Sequence, residues 1–518
     1  MSNQPASEGR LAYKWKVLIS VIFGIFMIIL DTTVVNVAFQ TLRREYGASL
    51  NEAQWIISIY VLALGITTPV SGFLADRFGL KRIYIWGLGI FTIGSFLCGL
   101  APSLWALVAA RALQGIGGGM AQPLGPALLY RTFPPKEQGV ALGYFGIALV
   151  VAPAMGPILG GFLVDIDLWR WIFFINVPIG IVGIVLASRF LRTEPIECKP
   201  RLDPLGLITS VIGFGSLLYA ATHVAESGWT SSSVIVWFVV GTVALITFAI
   251  IELFVAKEPL LDLRLFANRN FLTAGLIGYV TVLALFGAEF LMPLYLQSLR
   301  GLSALDTGIV LLPLAVAAGI TTPIAGRLYD KIGPRPLVVT GFGLLIINTW
   351  QLAQLQADTP IWWIAVLLAL RGVALGMTVQ TTFATALASV PRPLLPRGSS
   401  LINSTRFVVQ SIGVAILATV LASAISPEVR AQQQQLQATP ASESPAQPFG
   451  LCETPDDLTP ELRAGMQQAC NENVIGFERT YLLTFYFAIA ALVIAFFMPG
   501  WPLGWQGRGS LEQPSPAH

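Results

Sequence analysis

Long apolar runs separated by short polar segments follow one another along almost the whole chain of 518 residues. A helix needs about 20 apolar residues to cross the hydrocarbon core of a bilayer. Fourteen runs approach or exceed this length, and none has the strict alternation of a barrel strand. The pattern predicts an all-α polytopic membrane protein with 14 transmembrane helices. The runs cover residues 16–37, 53–75, 83–101, 104–128, 139–164, 170–190, 204–224, 233–254, 271–297, 306–328, 337–355, 360–388, 399–425 and 478–498.

A charged segment after the second run recurs later in the chain. The first copy, Gly72–Arg82, reads GFLADRFGLKR, and the second copy, Gly326–Pro336, reads GRLYDKIGPRP. Two ordinary polar loops with a chance similarity are the alternative, but apolar runs flank both copies. A self-match of this kind indicates two related halves, and we expect a 6 + 2 + 6 arrangement of helices. The predicted divisions are a six-helix bundle at 1–200, two linker helices at 201–265, a six-helix bundle at 266–500 that includes an extracytoplasmic loop at 426–476, and a cytoplasmic tail at 501–518.

Each copy of this segment contains residues suited to joining helices. The first glycine lets two helices approach closely, and the second permits a tight turn. The aspartate between them can serve a helix N-terminus or a neighbouring arginine. We expect a role in conformational change for the following residues of the two copies: Gly72, Asp76, Arg77, Gly79, Lys81, Arg82 and Asp330.

Composition supports a membrane location. Hydrophobic residues make up 55% of the chain and charged residues 11%, against about 25% charged in soluble domains. Most Lys and Arg residues fall on the side of the amino terminus, which predicts that both termini are cytoplasmic. A net charge of +3, without a basic cluster among aromatic residues, gives no indication of nucleic-acid binding.

The polar segment 426–476 contains two of the four cysteines, Cys452 and Cys470. With the predicted topology it faces an oxidising space, so we expect a disulfide between them. Two free thiols are the alternative. Composition does not decide whether the segment is a partner surface or a linker.

Ionisable residues inside apolar runs are costly and mark functional sites. Asp31 lies in the first run and is followed by the polar residues Thr32, Thr33 and Asn36. A carboxyl group at this depth can take up and release a proton. A structural ion pair with Arg111 of the fourth run is the alternative, and the two roles are compatible.

Further polar residues at membrane depth are candidates for a substrate cavity: Asn36, Gln114, Glu289 and Arg371. Arg371 is interpreted as the residue of the second half that corresponds to Arg111 of the first half. Glu289 is interpreted as a second protonation site or an anchor for a cationic substrate, or else as a hydrated group at headgroup level. Arg406 is interpreted as reaching the cytoplasmic interface.

The fifth run contains a dense set of prolines and glycines in the segment APAMGPILGG. Proline removes helix hydrogen bonds and glycine permits close contact, so a hinge or a tight seal between halves is expected. The residues concerned are Pro153, Gly156, Pro157, Gly160 and Gly161.

Motifs of enzymes and ATP-driven pumps are missing from the sequence. There is no GxxxxGK[ST] phosphate loop and no HExxH, and the two histidines are His223 and His518. We therefore expect neither an enzyme, nor a metal site, nor a cofactor. Two related halves and a small number of charged residues inside the apolar runs are typical of a secondary transporter driven by an ion gradient.

The motifs resemble those of the major facilitator superfamily, and specifically its fourteen-span drug:proton antiporters of the EmrB/QacA type. GFLADRFGLKR resembles the superfamily's loop signature, and LDTTVVNVAF and RALQGIGGGM resemble the first-span and fourth-span signatures of this group. APAMGPILGG resembles the fifth-span signature of antiporters.

The resemblance implies two six-helix bundles, a central cavity, alternating access and export coupled to the proton gradient. It implies Asp31 as the proton carrier and Arg111 as its partner. We therefore expect a multidrug efflux antiporter of the inner membrane for lipophilic small molecules, cationic ones included. The alternative is a dedicated exporter of one metabolite or lipid. Further expected partners are the lipid bilayer and, if segment 426–476 docks one, a periplasmic adaptor with an outer-membrane channel.

Overall fold

The protein is described here from a computed structural model, which covers residues 12–193, 200–201, 203–426, 429, 451–452 and 460–500. The side chains of 50–51, 225–227, 284–290, 304 and 460–462 also lie outside the described part. This set includes the side chain of Glu289, so only its position on a helix is known. The predicted tail 501–518 and most of the predicted loop 426–476 fall outside the described residues.

Helices account for nearly all of the described chain, and each apolar run coincides with helical residues to within a few positions. The helices are α1 Tyr13–Glu45, α2 Leu50–Phe78, α3 Leu80–Leu100, α4 Leu104–Ala121, α5 Leu124–Thr132, α6 Gln138–Asp165, α7 Trp171–Phe174, α8 Asn176–Phe190, α9 Pro204–Ser227, α10 Ser232–Ile250, α11 Arg269–Leu294, α12 Ala304–Ile332, α13 Pro334–Leu352, α14 Ile361–Ala388, α15 Leu395–Ser423 and α16 Pro460–Ala495. Short 3₁₀ segments lie at Pro135–Glu137, Leu263–Ala267 and Arg392–Leu394, and π-helical turns extend α10 and α11 at Ile251–Val255 and Tyr295–Leu299. Within the described residues, eleven helices are long and apolar enough to cross a membrane.

Polar residues at the helix starts explain several boundaries. Ser49 and Glu52 form a reciprocal capping box that begins α2. Ser303 begins α12 by accepting a hydrogen bond from the Asp306 backbone N–H at 3.0 Å. Asp203 caps α9 in the same way and is followed by proline at the first helical position.

The first half consists of α1–α8 and the second half of α11–α16, and α9 and α10 pack against each other beside them. Close packing of small residues joins α9 to α2, since a Cβ at Gly215 would lie 3.1 Å from the Ile66 side chain. At the other half, the Trp229 indole donates a 2.7 Å hydrogen bond to Thr419 of α15. The two additional helices therefore contact both halves.

The halves meet along α6 and α12. A Cβ at Gly143 would lie 2.9 Å from the Thr322 carbonyl oxygen, and a Cβ at Gly308 would lie 3.1 Å from Pro157. The glycines let the two backbones approach closely over most of their length.

We name the end of the molecule at which α1 begins and α2 ends the base, and the opposite end the top. At the base, one continuous apolar core contains residues of both halves, including Leu129 and Tyr329. Toward the top the cores separate: one includes Val35 and Phe173 of the first half, and the other lies in the second half. The halves are therefore packed together most completely at the base.

Part of the segment before the last apolar run, where a loop is predicted at 426–476, is helical. α16 begins at Pro460, so residues 460–476 are helical and extend the last span beyond its apolar part. Proline suits the first turn of a helix, and the following residues are mostly helix formers. Cys452 and Cys470 are joined by a disulfide that ties the preceding chain to this extension.

Candidate functional site

Asp31 lies at the centre of a buried hydrogen-bond network inside the first half. Its carboxylate forms an ion pair with Arg111 of α4, and neither side chain is more than 1% exposed. The Gln114 amide donates to Asp31 Oδ1 at 2.8 Å, and the Asn176 amide of α8 donates to the same oxygen at 2.9 Å. Three donors from two helices therefore face one carboxylate that is shielded from lipid.

Arg111 is held by more than its ion pair. Its Nε donates to the Ile56 backbone oxygen at 3.2 Å, and Nη1 donates to Gln114 Oε1 at 2.7 Å. The guanidinium also lies 4.1 Å from the centre of the Tyr60 ring. These contacts offset the cost of burying the arginine charge at membrane depth. They also orient the guanidinium group toward Asp31.

Sequence reasoning missed two members of this network, Ser95 and Asn176. Ser95 accepts hydrogen bonds from Gln114 and Asn176 at 3.2 and 3.1 Å and donates to the Phe173 carbonyl oxygen at 2.9 Å. Asn176 is the first residue of α8, where the sixth apolar run is interrupted. An asparagine within an apolar run indicated a buried polar group. Its contact with Asp31 could not be predicted, because the two residues are far apart in the sequence.

The predicted cavity residues do not form one group. Gln114 belongs to the Asp31 network, and Arg371 is fully buried inside the second half, where it donates to Asn348 and Thr349 at 3.3 Å. Asn36 is exposed on another face of α1. Asp31 and Asn36 do not share a face of α1, because five residues along a helix rotate the side chain by more than a third of a turn. Thr32 and Thr33 bond instead to carbonyl oxygens of their own helix.

At the base, the first copy of the repeated segment contacts the second half. Asp76 accepts a 2.6 Å hydrogen bond from Arg397 Nε of α15, and the side chains are only 15% and 11% exposed. A Cβ at Gly72 would lie 2.9 Å from the Arg397 Cα, so glycine permits this approach. Ser71 and Ser400, 2.9 Å apart, add a hydroxyl contact beside the pair.

The second copy contacts the first half by a different bond. Asp330 accepts hydrogen bonds from the backbone N–H groups of Gly139 and Val140 at 3.0 and 3.1 Å. These residues begin α6, so the carboxylate lies at the positive end of that helix. The Asp330 carboxylate therefore serves a helix N-terminus, which is one of the two roles considered for this aspartate.

The remaining residues of the first copy lie at the turn after α2. Gly79 has a φ of 95° and Gly333, its counterpart, a φ of 83°, values that favour glycine. Arg77 donates to the Pro200 oxygen at 3.0 Å and Lys81 to the Ser188 oxygen at 2.7 Å. Lys81 and Arg82 also line a cavity of about 250 Å³ at the base, which lies away from Asp31.

The proline- and glycine-rich part of α6 contacts helices of both halves. A Cβ at Gly160 would lie 3.1 Å from the Val34 oxygen of α1, and Gly156 faces Thr33 of the same helix. Pro157 packs on Gly308 of α12, and Gly161 lies opposite Leu305. Pro153 is also within α6, which continues through both prolines.

Comparisons with known proteins agree with this architecture. The family model of the Major Facilitator Superfamily matches residues 21–414. The lincomycin resistance protein LmrB of Bacillus subtilis is 30% identical over 93% of this chain and 95% of its own length. The multidrug export protein EmrB of Escherichia coli K12 is 34% identical over 81% of this chain and 82% of its own. The structure of the proton:xylose symporter XylE, at 13% identity, covers 94% of this chain and 96% of its own with a TM-score of 0.61. By sequence and by fold, the chain belongs to the major facilitator superfamily and is a multi-pass membrane protein.

Proposed function

We propose that this protein is a proton-coupled efflux antiporter that exports lipophilic compounds across the inner membrane by alternating access. The observation that carries the proposal is the buried Asp31–Arg111 pair, held by donors from α4 and α8. An ionisable pair at this depth marks a proton or ion site in a transporter. The similarity to LmrB, a lincomycin resistance protein, and to EmrB, a multidrug export protein, supports drug export and does not favour a dedicated exporter of one metabolite.

The proposed topology has 14 spans, with the base and both termini in the cytoplasm. It comprises a bundle at 1–200, two linker helices at 201–265 and a bundle at 266–500, with 501–518 as a cytoplasmic tail. Helices α9 and α10, packed beside both halves, support the division.

A cysteine introduced at Lys136 of the base should react with a membrane-impermeant maleimide only in inverted vesicles.

In the proposed cycle, protonation of Asp31 weakens its attraction to Arg111 and loosens the tie between α1 and α4. The contacts of α6 with α1 and α12 carry this change to the interface of the halves. The Asp76–Arg397 pair and the Asp330 contact at the base hold the cytoplasmic side closed until the halves rock apart. This order is supported by the apolar core that the halves share at the base, since toward the top their described cores are separate.

The test is export of a fluorescent drug from proteoliposomes with an imposed pH gradient. We expect Asp31→Asn to abolish gradient-driven export while drug binding persists, because asparagine keeps a polar side chain of similar size but exchanges no proton. Asp165→Asn is the matched control, since Asp165 is exposed at the end of α6. Transport by Asp31→Asn with an unchanged pH dependence would refute the assignment.

We further propose that segment 426–476 docks a periplasmic adaptor that leads to an outer-membrane channel. Two backbone hydrogen bonds hold part of this segment against the end of α11. The N–H groups of Leu451 and Cys452 donate to the Ser298 and Leu299 oxygens at 2.9 and 3.0 Å, which supports a docking surface of fixed position. Removing residues 432–450 should then lower drug resistance of cells while export from proteoliposomes is unchanged. Unchanged resistance would reject the docking role.

A further inference from the structure

Arg406 is a cation in the middle of α15 that has no anionic partner among the described residues. It is eleven residues from Leu395, the first residue of the helix, and therefore about 16 Å along its axis. Its guanidinium lies 5.9 Å from the centre of the Phe383 ring of α14. Among the described residues, the titratable group that interacts with it is Tyr279 of α11, whose hydroxyl lies 2.7 Å from that of Thr405. This position is too deep for the interfacial role expected from the sequence.

The face of α15 that contains Arg406 is turned toward the first half. Ser399, two helical turns earlier on the same face, donates a 2.6 Å hydrogen bond to the Pro123 oxygen of the first half. Arg406 thus lies about 10 Å above a contact that closes the base.

Phe383 lies on α14 between residues that also meet the first half. Gln380 lines a small gap beside Gly139 and Leu142 of α6, and the Ala384 oxygen accepts a 2.6 Å hydrogen bond from Tyr130. Three helices of the second half, α11, α14 and α15, therefore place a tyrosine, a phenylalanine and an arginine around one point next to the interface of the halves.

A guanidinium at membrane depth is costly unless an anion, a carbonyl group or water satisfies it. Arg111 and Arg371 each have hydrogen-bonding partners in the protein. The guanidinium group of Arg406 donates no hydrogen bond in the described part of the chain. The guanidinium fork matches a carboxylate or a similar acidic group, and the adjacent aromatic rings suit an apolar body.

We infer that Arg406 binds the acidic group of the exported compound, so that the substrates include lipophilic anions with a carboxylate or sulfonate group. The inference rests on the proposed export function and names its substrate class. It departs from the expectation of cationic substrates, because a fixed positive charge beside the path repels them.

The experiment uses three probes with the same aromatic body, ending in a carboxylate, a primary amide or a quaternary ammonium group. Their binding to the purified full-length protein in nanodiscs, and their export from proteoliposomes, are measured for the wild type and two variants. Arg406→Gln removes the charge, and Arg406→Lys keeps it without the planar fork. Arg269→Gln, at an exposed residue that begins α11, is the matched control.

We expect the carboxylate probe to bind the wild type more tightly than the ammonium probe. Arg406→Gln should weaken binding of the carboxylate probe by about tenfold or more and leave the amide probe within about twofold. Arg406→Lys should recover part of the loss, and Arg269→Gln should resemble the wild type.

Equal weakening of all three probes by Arg406→Gln would identify a structural arginine and overturn the inference. Tighter binding of the ammonium probe by the wild type would do the same, even if the variants failed to fold. Selective binding of the carboxylate probe without any gradient-driven export would instead support the inference and contradict the proposed antiport.

Discussion

The Asp76 carboxylate of α2 and the Arg397 guanidinium of α15 lie 2.6 Å apart and join the two halves at the base. Arg397 also donates to the Pro259 oxygen at 2.9 Å, in the connection between the linker helices and the second half. A single arginine therefore links three parts of the chain. Because the contact is made by side chains, it can break while the helices stay intact.

Asp76→Asn should shift the protein toward a conformation open at the base. The substitution removes the charge that Arg397 faces, and a mostly buried pair of this kind contributes about 1–3 kcal/mol. A change of about 1.4 kcal/mol alters a two-state ratio tenfold. Spin labels at Lys136 and Lys331, both exposed at the base in opposite halves, should report a larger population of long distances by pulsed electron resonance.

The control for this shift is Asp262→Asn, because Asp262 caps only a short segment at the base. Its label distances should match those of the wild type. An unchanged distribution in Asp76→Asn would mean that the pair does not hold the halves together.

Gly326→Ala should destabilise the α6–α12 interface. A Cβ at Gly326 would meet the Gly139 backbone oxygen and approach the Gly143 Cα at 3.1 Å, and backbone atoms cannot move aside as a side chain can. We expect a loss of about 1–3 kcal/mol, typical of overpacking, measured by thermal unfolding in detergent.

Gly343→Ala provides the comparison. Gly343 lies within α13, and a Cβ there would meet nothing within 4 Å. Alanine is favoured over glycine in a helix by up to about 1 kcal/mol, so this variant should be as stable as the wild type or more stable. Equal losses in both variants would contradict the close-packing account, because only a Cβ at Gly326 would meet backbone atoms of the facing helix.

Much of the fold could be predicted because its signals are local. Apolar run length gave the helices, and the repeated charged segment indicated the two halves. The start of α16 at Pro460 was missed because a polar helix that extends beyond the membrane lacks an apolar signal.

The site was predicted only in part because its contacts join distant positions. The pairing of Asp31 with Arg111 could be predicted because few other charged residues lie inside apolar runs. Asn176 and Ser95 are uncharged, and only the packing of α3 and α8 reveals their proximity to Asp31. Rotation around α1 likewise placed Asn36 away from Asp31.

Asp203→Asn should stabilise the linker helices. The Oδ2 atom of Asp203 and the Oε2 atom of Glu252 are buried without hydrogen-bond partners in the described part. Both side chains approach Gly206, so two carboxyl groups face the same small space. An asparagine amide would supply a donor and remove one charge, which we expect to raise stability by about 1–2 kcal/mol in thermal unfolding. The matched substitution Glu258→Gln, at an exposed carboxyl group nearby, should have little effect, and a stability loss in Asp203→Asn would contradict this account.

Asn176→Leu should alter proton coupling without abolishing folding. Leucine has the same branched arrangement of side-chain heavy atoms as asparagine but cannot donate a hydrogen bond, so Asp31 Oδ1 loses its 2.9 Å bond from residue 176. A hydrogen bond to a charged group contributes about 1.5–3 kcal/mol. The midpoint of the pH profile of gradient-driven export should therefore move in this variant.

The measurement is a pH profile of drug export from proteoliposomes, together with drug binding. Asn348→Leu is the matched control, because Asn348 is equally buried but contacts Arg371 in the second half. If Asn176 only packs α8, both variants should lower export at every pH without moving the midpoint. If it positions the Asp31 carboxylate, the midpoint should move in Asn176→Leu alone, since no described contact of Asn348 reaches the Asp31 network.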